Sequence, residues 1–217
     1  MKRLALALVP AVLLSTAGLA RADILSLRVE GHLGGAGGTG LGGGEAASDA
    51  AFFKGATGAT WGFLVALEAL FVEGWVEHHQ YADQEDFLGT WTQFMVGLDL
   101  DVEKTKTPPK GADGKPTGKT RRTGYFEFGI GAGFGVGTGQ QVDPPLDASE
   151  VTDRGFVVEG KIGAGMYVAN GLLGIGVSLP VQAGYFFKSG FANDADNQYY
   201  GAQGALLLVV RGKIKLK

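Results

Sequence analysis

The chain has 217 residues, a formal net charge of −3, 38 glycines and no cysteine. A chain without excess positive charge is not a nucleic-acid binder by charge, and without cysteine it has neither disulfides nor the anchor site of a lipoprotein. No apolar run of about 18 residues follows the first 22 residues, so no transmembrane helix is expected.

Residues 1–22 read as a secretory signal peptide. Lys2 and Arg3 form the charged start, 4–14 the apolar core, and Ala20-Arg21-Ala22 the small-x-small cleavage site. The apolar core is too short to span a bilayer. Cleavage removes Lys2, Arg3 and Arg21 but no acid, so the mature domain, 23–217, is more acidic than the whole chain. If that domain enters a membrane, it does so as a closed barrel, because an open sheet edge in lipid leaves backbone groups without partners.

The mature chain alternates with a period of two, the mark of strands. A first strand is expected over 24–33, with Leu25, Leu27, Val29 and Leu33 opposing Ser26, Arg28, Glu30 and His32. A Gly/Ala loop follows over 34–49. Residues 52–81 carry no turn signal but are too long for one strand, so they are divided near Glu68 into strands two and three. In the third, Leu70, Val72, Gly74 and Val76 oppose Phe71, Glu73, Trp75, Glu77 and His79. After an acidic loop at 82–86, strand four covers 88–102. A long segment, 103–122, follows; it is rich in Pro and Gly and carries Lys104, Lys106, Lys110, Lys115, Lys119, Arg121 and Arg122.

Strands five and six lie in 123–169 and give the clearest signal. Phe126, Phe128, Ile130, Phe134 and Val136 share one face; Tyr125, Glu127, Gly129, Gly131, Gly133 and Gly135 share the other. One face is apolar and the other is small or polar, which is the pattern of a transmembrane β-barrel. Asn170-Gly171 signals a type I′ hairpin. Strand seven covers 172–187 with a blemish at Pro180, which removes a ladder donor. Strand eight covers 199–216. The expected fold is all-β, an antiparallel up-and-down eight-stranded transmembrane barrel. With the N-terminus in the periplasm, the 103–122 hairpin falls on the periplasmic side. The loops at 34–52, 81–87, 138–152 and 189–198 face outward.

This pattern resembles the small eight-stranded outer-membrane barrels of Gram-negative bacteria, the OmpA-barrel, OmpX and OmpW kind. The C-terminal VVRGKIKLK places Gly212, Ile214 and Leu216 at the alternate spacing of that family's assembly signal, though it ends in Lys217 where the family typically ends in phenylalanine. The resemblance implies an outer-membrane location, contact with lipid and lipopolysaccharide, and the barrel-insertion machinery as a partner. The Gly-rich style with a long periplasmic hairpin also resembles barrels of myxobacterial gliding-motility envelope complexes.

Inward positions on strands five to seven are bare: Gly129, Gly131, Gly133, Gly135, Gly163, Gly165, Gly174 and Gly176. Strands one, three and four carry bulk: Arg28, His32, Phe71, Trp75, Trp91, Gln93 and Met95. Large side chains crossing to bare backbone would fill an eight-stranded lumen; the alternative is a slender, porin-like channel along the glycine wall. Glu30, Glu73, Glu77, Asp99, Glu127 and Glu159 also point inward, with Arg28, Lys161 and Arg211 as partners. Buried charges must pair, so a bracing network is expected, with an ion-conducting path as the rival.

No catalytic, cofactor or metal site is expected. His32 and His79 lie on strands that are not neighbours, and His78 and His79 read as a polar rim. The loop serines Ser48, Ser149 and Ser189 hold no fixed spacing to a histidine. The glycine runs continue strand alternation rather than opening a helix, so they are not a nucleotide loop. The acids Asp143, Asp147, Glu150, Asp153, Asp194 and Asp196 read as solvated outer loops or divalent-ion bridges to lipopolysaccharide. The basic hairpin is the expected docking element for a periplasmic or outer-membrane protein or for peptidoglycan carboxylates. The function expected is a non-enzymatic envelope anchor or assembly component.

Overall fold

Alternation of apolar and polar residues puts one face of each strand outward and the other inward. The computed structural model describes residues 25–43, 56–82, 88–140, 151–188 and 198–216. They form eight strands: β1 (Leu25–Gly43), β2 (Gly58–Ala69), β3 (Val72–Ala82), β4 (Leu88–Lys106), β5 (Arg121–Gln140), β6 (Val151–Val168), β7 (Leu173–Lys188) and β8 (Gln198–Leu216). Each strand pairs antiparallel with the next, and β1 closes the ring against β8 from Leu25–Leu216 to Gly43–Tyr199.

Closure gives each strand a neighbour on both sides, so the sheet has no free edge strand. The outside is apolar: on β4, Phe94, Val96, Leu98, Leu100 and Val102 are all exposed. At a rise of about 3.3 Å per residue and a tilt near 40°, those positions cover roughly 20 Å of height, close to the apolar band of a membrane barrel. A sheet with this exterior buries its polar side chains inside and its apolar ones in lipid.

Several expected boundaries shift. The glycine-rich stretch after Leu33 is strand rather than loop as far as Gly43, pairing along β8 with a register shift between Gly40 and Gly42. The break between β2 and β3 falls at Leu70-Phe71. Leu70 takes a positive φ of 61°, and Phe71 is exposed in the turn instead of filling the lumen. The β6–β7 turn is longer than a two-residue type I′ loop: Ala169, Asn170 and Gly171 all have positive φ, and Leu172 N donates to Ala169 O at 3.3 Å. Pro180 keeps its place in β7, and the β7–β8 ladder runs from Ser178–Leu207 to Val181–Gly204 without pairing Pro180. The segment expected to be a signal peptide, most of the loops expected to face outward, and Ser48, Ser149 and Ser189 lie outside the described residues.

The 103–122 segment is also more ordered in sequence terms than a free loop. β4 and β5 continue through Lys106–Arg121, with a bulge between Lys104 and Thr105, so Lys104, Lys106, Arg121 and Arg122 are strand residues. The tip closes on itself. Gly111 N donates to Lys115 O at 2.7 Å and Thr117 N to Pro109 O at 2.9 Å, while Gly114 supplies a φ of +74°.

Candidate functional site

The lumen is built in layers from inward residues of non-adjacent strands. At the end where β1 begins and β8 ends, Arg211 lies over Tyr125, its Cζ 3.8 Å from the ring centre. It pairs with Glu127 at 2.9 Å and with Asp101. Lys213 bridges Glu68 at 2.6 Å and Asp101 at 3.2 Å.

The next layer is centred on Arg28. Its guanidinium reaches Glu73 at 2.6 Å, Asp99 at 2.8 Å, and Glu30 and Glu127 at 3.3 Å. Lys161 approaches the same acids from β6, with Glu127 at 2.9 Å, Glu73 at 3.5 Å and Asp99 at 3.6 Å. Arg28 is only 1% exposed. In such a site Coulomb attraction is weakly screened, and each charge depends on its partners to offset lost hydration.

Above this layer, Gln93 Nε2 donates to Glu77 at 2.7 Å and to Glu159 at 2.5 Å, and Gln182 adds a bond to Glu159 at 3.0 Å. The far end is aromatic. Trp91 meets Phe186 edge-on at 5.7 Å, and Phe186 meets Tyr199 at 5.3 Å. Tyr81 donates to Gln203 at 2.9 Å, and Tyr199 donates to Asp153 at 2.5 Å.

The bare wall is occupied. A Cβ added at Gly131 would strike Trp75, one at Gly135 would strike Trp91, and one at Gly184 would strike Phe186. Lys161 lies along Gly129, its Cε 2.7 Å from where a Cβ would stand. The glycines on β5–β7 thus leave the room that large side chains from β3, β4, β6 and β7 take up.

The named charges Arg28, Glu30, Glu73, Asp99, Glu127, Lys161 and Arg211 come together as one ion-paired cluster, and Glu77 and Glu159 join through Gln93. Sequence reasoning left Asp101, Lys213 and Glu68 out of this set, although the first two stand two residues beyond Asp99 and Arg211 on the same face. Asp153 is corrected from loop acid to buried lumen residue, because β6 begins at Val151. His32 and His79 are corrected too. Gly62 of β2 is the register partner of both; with no side chain there, the two rings stack at 5.5 Å. His78 faces outward, its Nδ1 2.8 Å from Thr92 Oγ1.

At the hairpin base, Arg122 pairs with Glu103 at 3.1 Å and lies 4.8 Å over Tyr167. Arg121 donates to Asn170 at 2.8 Å. Lys104, Lys106, Lys110, Lys115 and Lys119 remain exposed. A cleft lined by Lys106, Lys119, Arg121, Arg122 and Asn170 opens beside them. In the assembly-signal stretch, Ile214 and Leu216 are exposed on the outer face of β8 and Gly212 pairs with Val29 and Leu173.

These features define a closed eight-stranded antiparallel barrel with an apolar exterior and a filled, charged lumen. The crystal structure of Neisserial surface protein A (NspA) has the same fold: it aligns with a TM-score of 0.50 at 12% identity, covering 87% of this chain and 97% of that one. The N-terminal β-barrel domain of Pseudomonas aeruginosa OprF aligns with a TM-score of 0.40 at 13% identity, covering 85% and 96%. No protein-family model matches the sequence, and no curated protein matches it either.

Proposed function

We propose that this chain is exported by a signal peptide at residues 1–22 and resides in the outer membrane of a Gram-negative bacterium. There it acts as a non-enzymatic envelope anchor or assembly component. The observation that carries this reading is the filled lumen: Trp75, Trp91 and Phe186 occupy the glycine wall and Arg28 ties four acids across the middle. A barrel filled in this way favours anchoring over passage of solutes. The working surface is then the basic hairpin, with five exposed lysines and a basic cleft at its base. It suits an acidic periplasmic protein or peptidoglycan carboxylates. Lipid and lipopolysaccharide surround the barrel, Gly212, Ile214 and Leu216 serve its recognition by the insertion machinery, and a trans-envelope complex such as a motility machine is one setting for it.

The test is trypsin cleavage at Lys110, Lys115 and Lys119, in intact cells and after outer-membrane permeabilisation, together with co-purification of envelope partners. Cleavage only after permeabilisation is expected, as is loss of partners when the hairpin lysines are changed to glutamine. Cleavage in intact cells, or an unchanged set of partners, would refute the docking role.

A further inference from the structure

Three groups from two strands meet inside the lumen with the makings of a metal site. Each of His32, Glu77 and His79 is buried and offers one donor atom, and the three atoms lie within 4.8 Å of one another. Glu77 Oε1 stands 2.7 Å from His79 Nε2 and 3.4 Å from His32 Nδ1. An ion bound by nitrogen and oxygen ligands at about 2.0–2.2 Å separates tetrahedral donors by roughly 3.4 Å. The Glu77–His32 edge already has that length, the Glu77–His79 edge opens by about 0.7 Å as the ion replaces a hydrogen bond, and the His32–His79 edge lies within 4.8 Å.

Two further observations point to a ligand. His32 is 7% exposed, yet its Nδ1, the atom turned toward Glu77, has no hydrogen-bond partner. A buried ring nitrogen that makes a 3.4 Å ion-pair contact but no hydrogen bond costs free energy that a metal bond would recover. The outer contacts are also those of a metal site. His32 Nε2 is held by Glu30 Oε2 at 3.1 Å, and Glu77 Oε2 accepts from Gln93 Nε2 at 2.7 Å. A carboxylate behind a ligating imidazole and a donor behind a ligating carboxylate fix orientation and raise affinity. The ion pairs of Glu77 are to the two imidazoles, and a buried carboxylate is stabilised by an ion or by coordination to a metal.

We propose that His32, Glu77 and His79 bind a divalent transition-metal ion of the zinc type, with a fourth position left to water. The ion clamps β1 to β3 across the gap at Gly62. The site is separate from the hairpin and does not depend on the role proposed for it.

The test uses the tag-free mature barrel folded in detergent with zinc present, then freed of excess metal by gel filtration. Folding of every variant is checked by heat-modifiable migration on gels. The wild type and His78→Gln are expected to keep about one zinc per chain by mass spectrometry of the metal. His32→Gln and His79→Gln are expected to lose it. Glu30→Gln, which removes the carboxylate behind His32 along with its 3.3 Å ion pair to Arg28, weakens binding about 10–100-fold. Free zinc at about 100 times its Kd raises the folded-to-unfolded ratio of the wild type about 100-fold and leaves that of His79→Gln unchanged. If a histidine variant does not fold, cobalt loading of the wild type decides: visible bands of a four- or five-coordinate ion support the site, and a six-coordinate aqua spectrum overturns it. A folded wild type that retains no zinc would overturn the proposal. So would zinc retained equally by folded His32→Gln and His79→Gln, and the pair would then be bridged by protons alone.

Discussion

Replacing Arg28 with methionine keeps an unbranched apolar stem and removes the charge that four carboxylates share. Glu73 and Asp99 lose contacts of 2.6 and 2.8 Å, and Glu30 and Glu127 lose contacts of 3.3 Å. Lys161 still serves Glu73, Asp99 and Glu127. Among the described residues Glu30 keeps Arg211 at 4.0 Å and His32 at 3.1 Å. Removing one member of a buried ionic cluster costs about 3–5 kcal/mol, because the remaining charges are left without compensation. Partial rescue by Lys161 places Arg28→Met near the lower end, about 3 kcal/mol. Urea unfolding in micelles or vesicles measures it, with tryptophan emission as the signal, since Trp75 and Trp91 line the lumen and Trp61 faces outward. The midpoint should fall with the slope unchanged. The double variant Arg28→Met/Glu30→Gln should recover part of the loss, since it removes the acid left most exposed to the change. A loss below about 1 kcal/mol would refute the reasoning, because it is the value for ion pairs bathed in water. The lumen would then be wet and the anchor reading would lose its support.

Other outcomes follow from the same coordinates. Gly135→Val drives its Cβ into Trp91, and overpacking should cost about 1–3 kcal/mol in urea unfolding. Leu70→Asn relieves a leucine held at a φ of 61°; asparagine tolerates that region, so stability should rise by about 0.5–1 kcal/mol in the same assay. The wild type should give no discrete conductance steps in planar bilayers, whereas Trp75→Ala/Trp91→Ala, which strips the side chains over Gly131 and Gly135, should give small ones. Steps in the wild type would favour the channel.

The strand count was legible because β4 to β8 set apolar against small or polar residues without a slip. β1 was half legible. After Leu33 the outward positions as far as Gly43 offer little but Thr39 and Leu41, so hydrophobic alternation fades, yet the backbone pairs with β8 along this stretch except at Leu41. A Cβ at Gly34 would run into the backbone at Leu206, so glycine there marks close strand pairing rather than a loop. Charges that share a face with their neighbours, such as Arg28 and Glu30, could be assigned inward from alternation alone. Distances across the lumen could not, because they depend on register and shear. The meeting of His32 and His79 is the clearest case. It depends on Gly62 standing opposite both, which only the pairing of β1, β2 and β3 reveals.

The Arg28 layer also constrains how the barrel comes to exist. Arg28 sits on β1, while Glu73, Asp99 and Glu127 sit on β3, β4 and β5. None of these pairs can form within a single hairpin, and Arg211 of β8 reaches Glu127 only when the ring is nearly shut. Hairpins entering the bilayer one at a time would carry unmatched charge on their inner faces, so partial insertion gains little. The last seam, β1 against β8, completes both the ladder and the electrostatic match in one step. Closure of the ring and completion of the ion-paired layer are therefore coupled, so assembly is close to all-or-none.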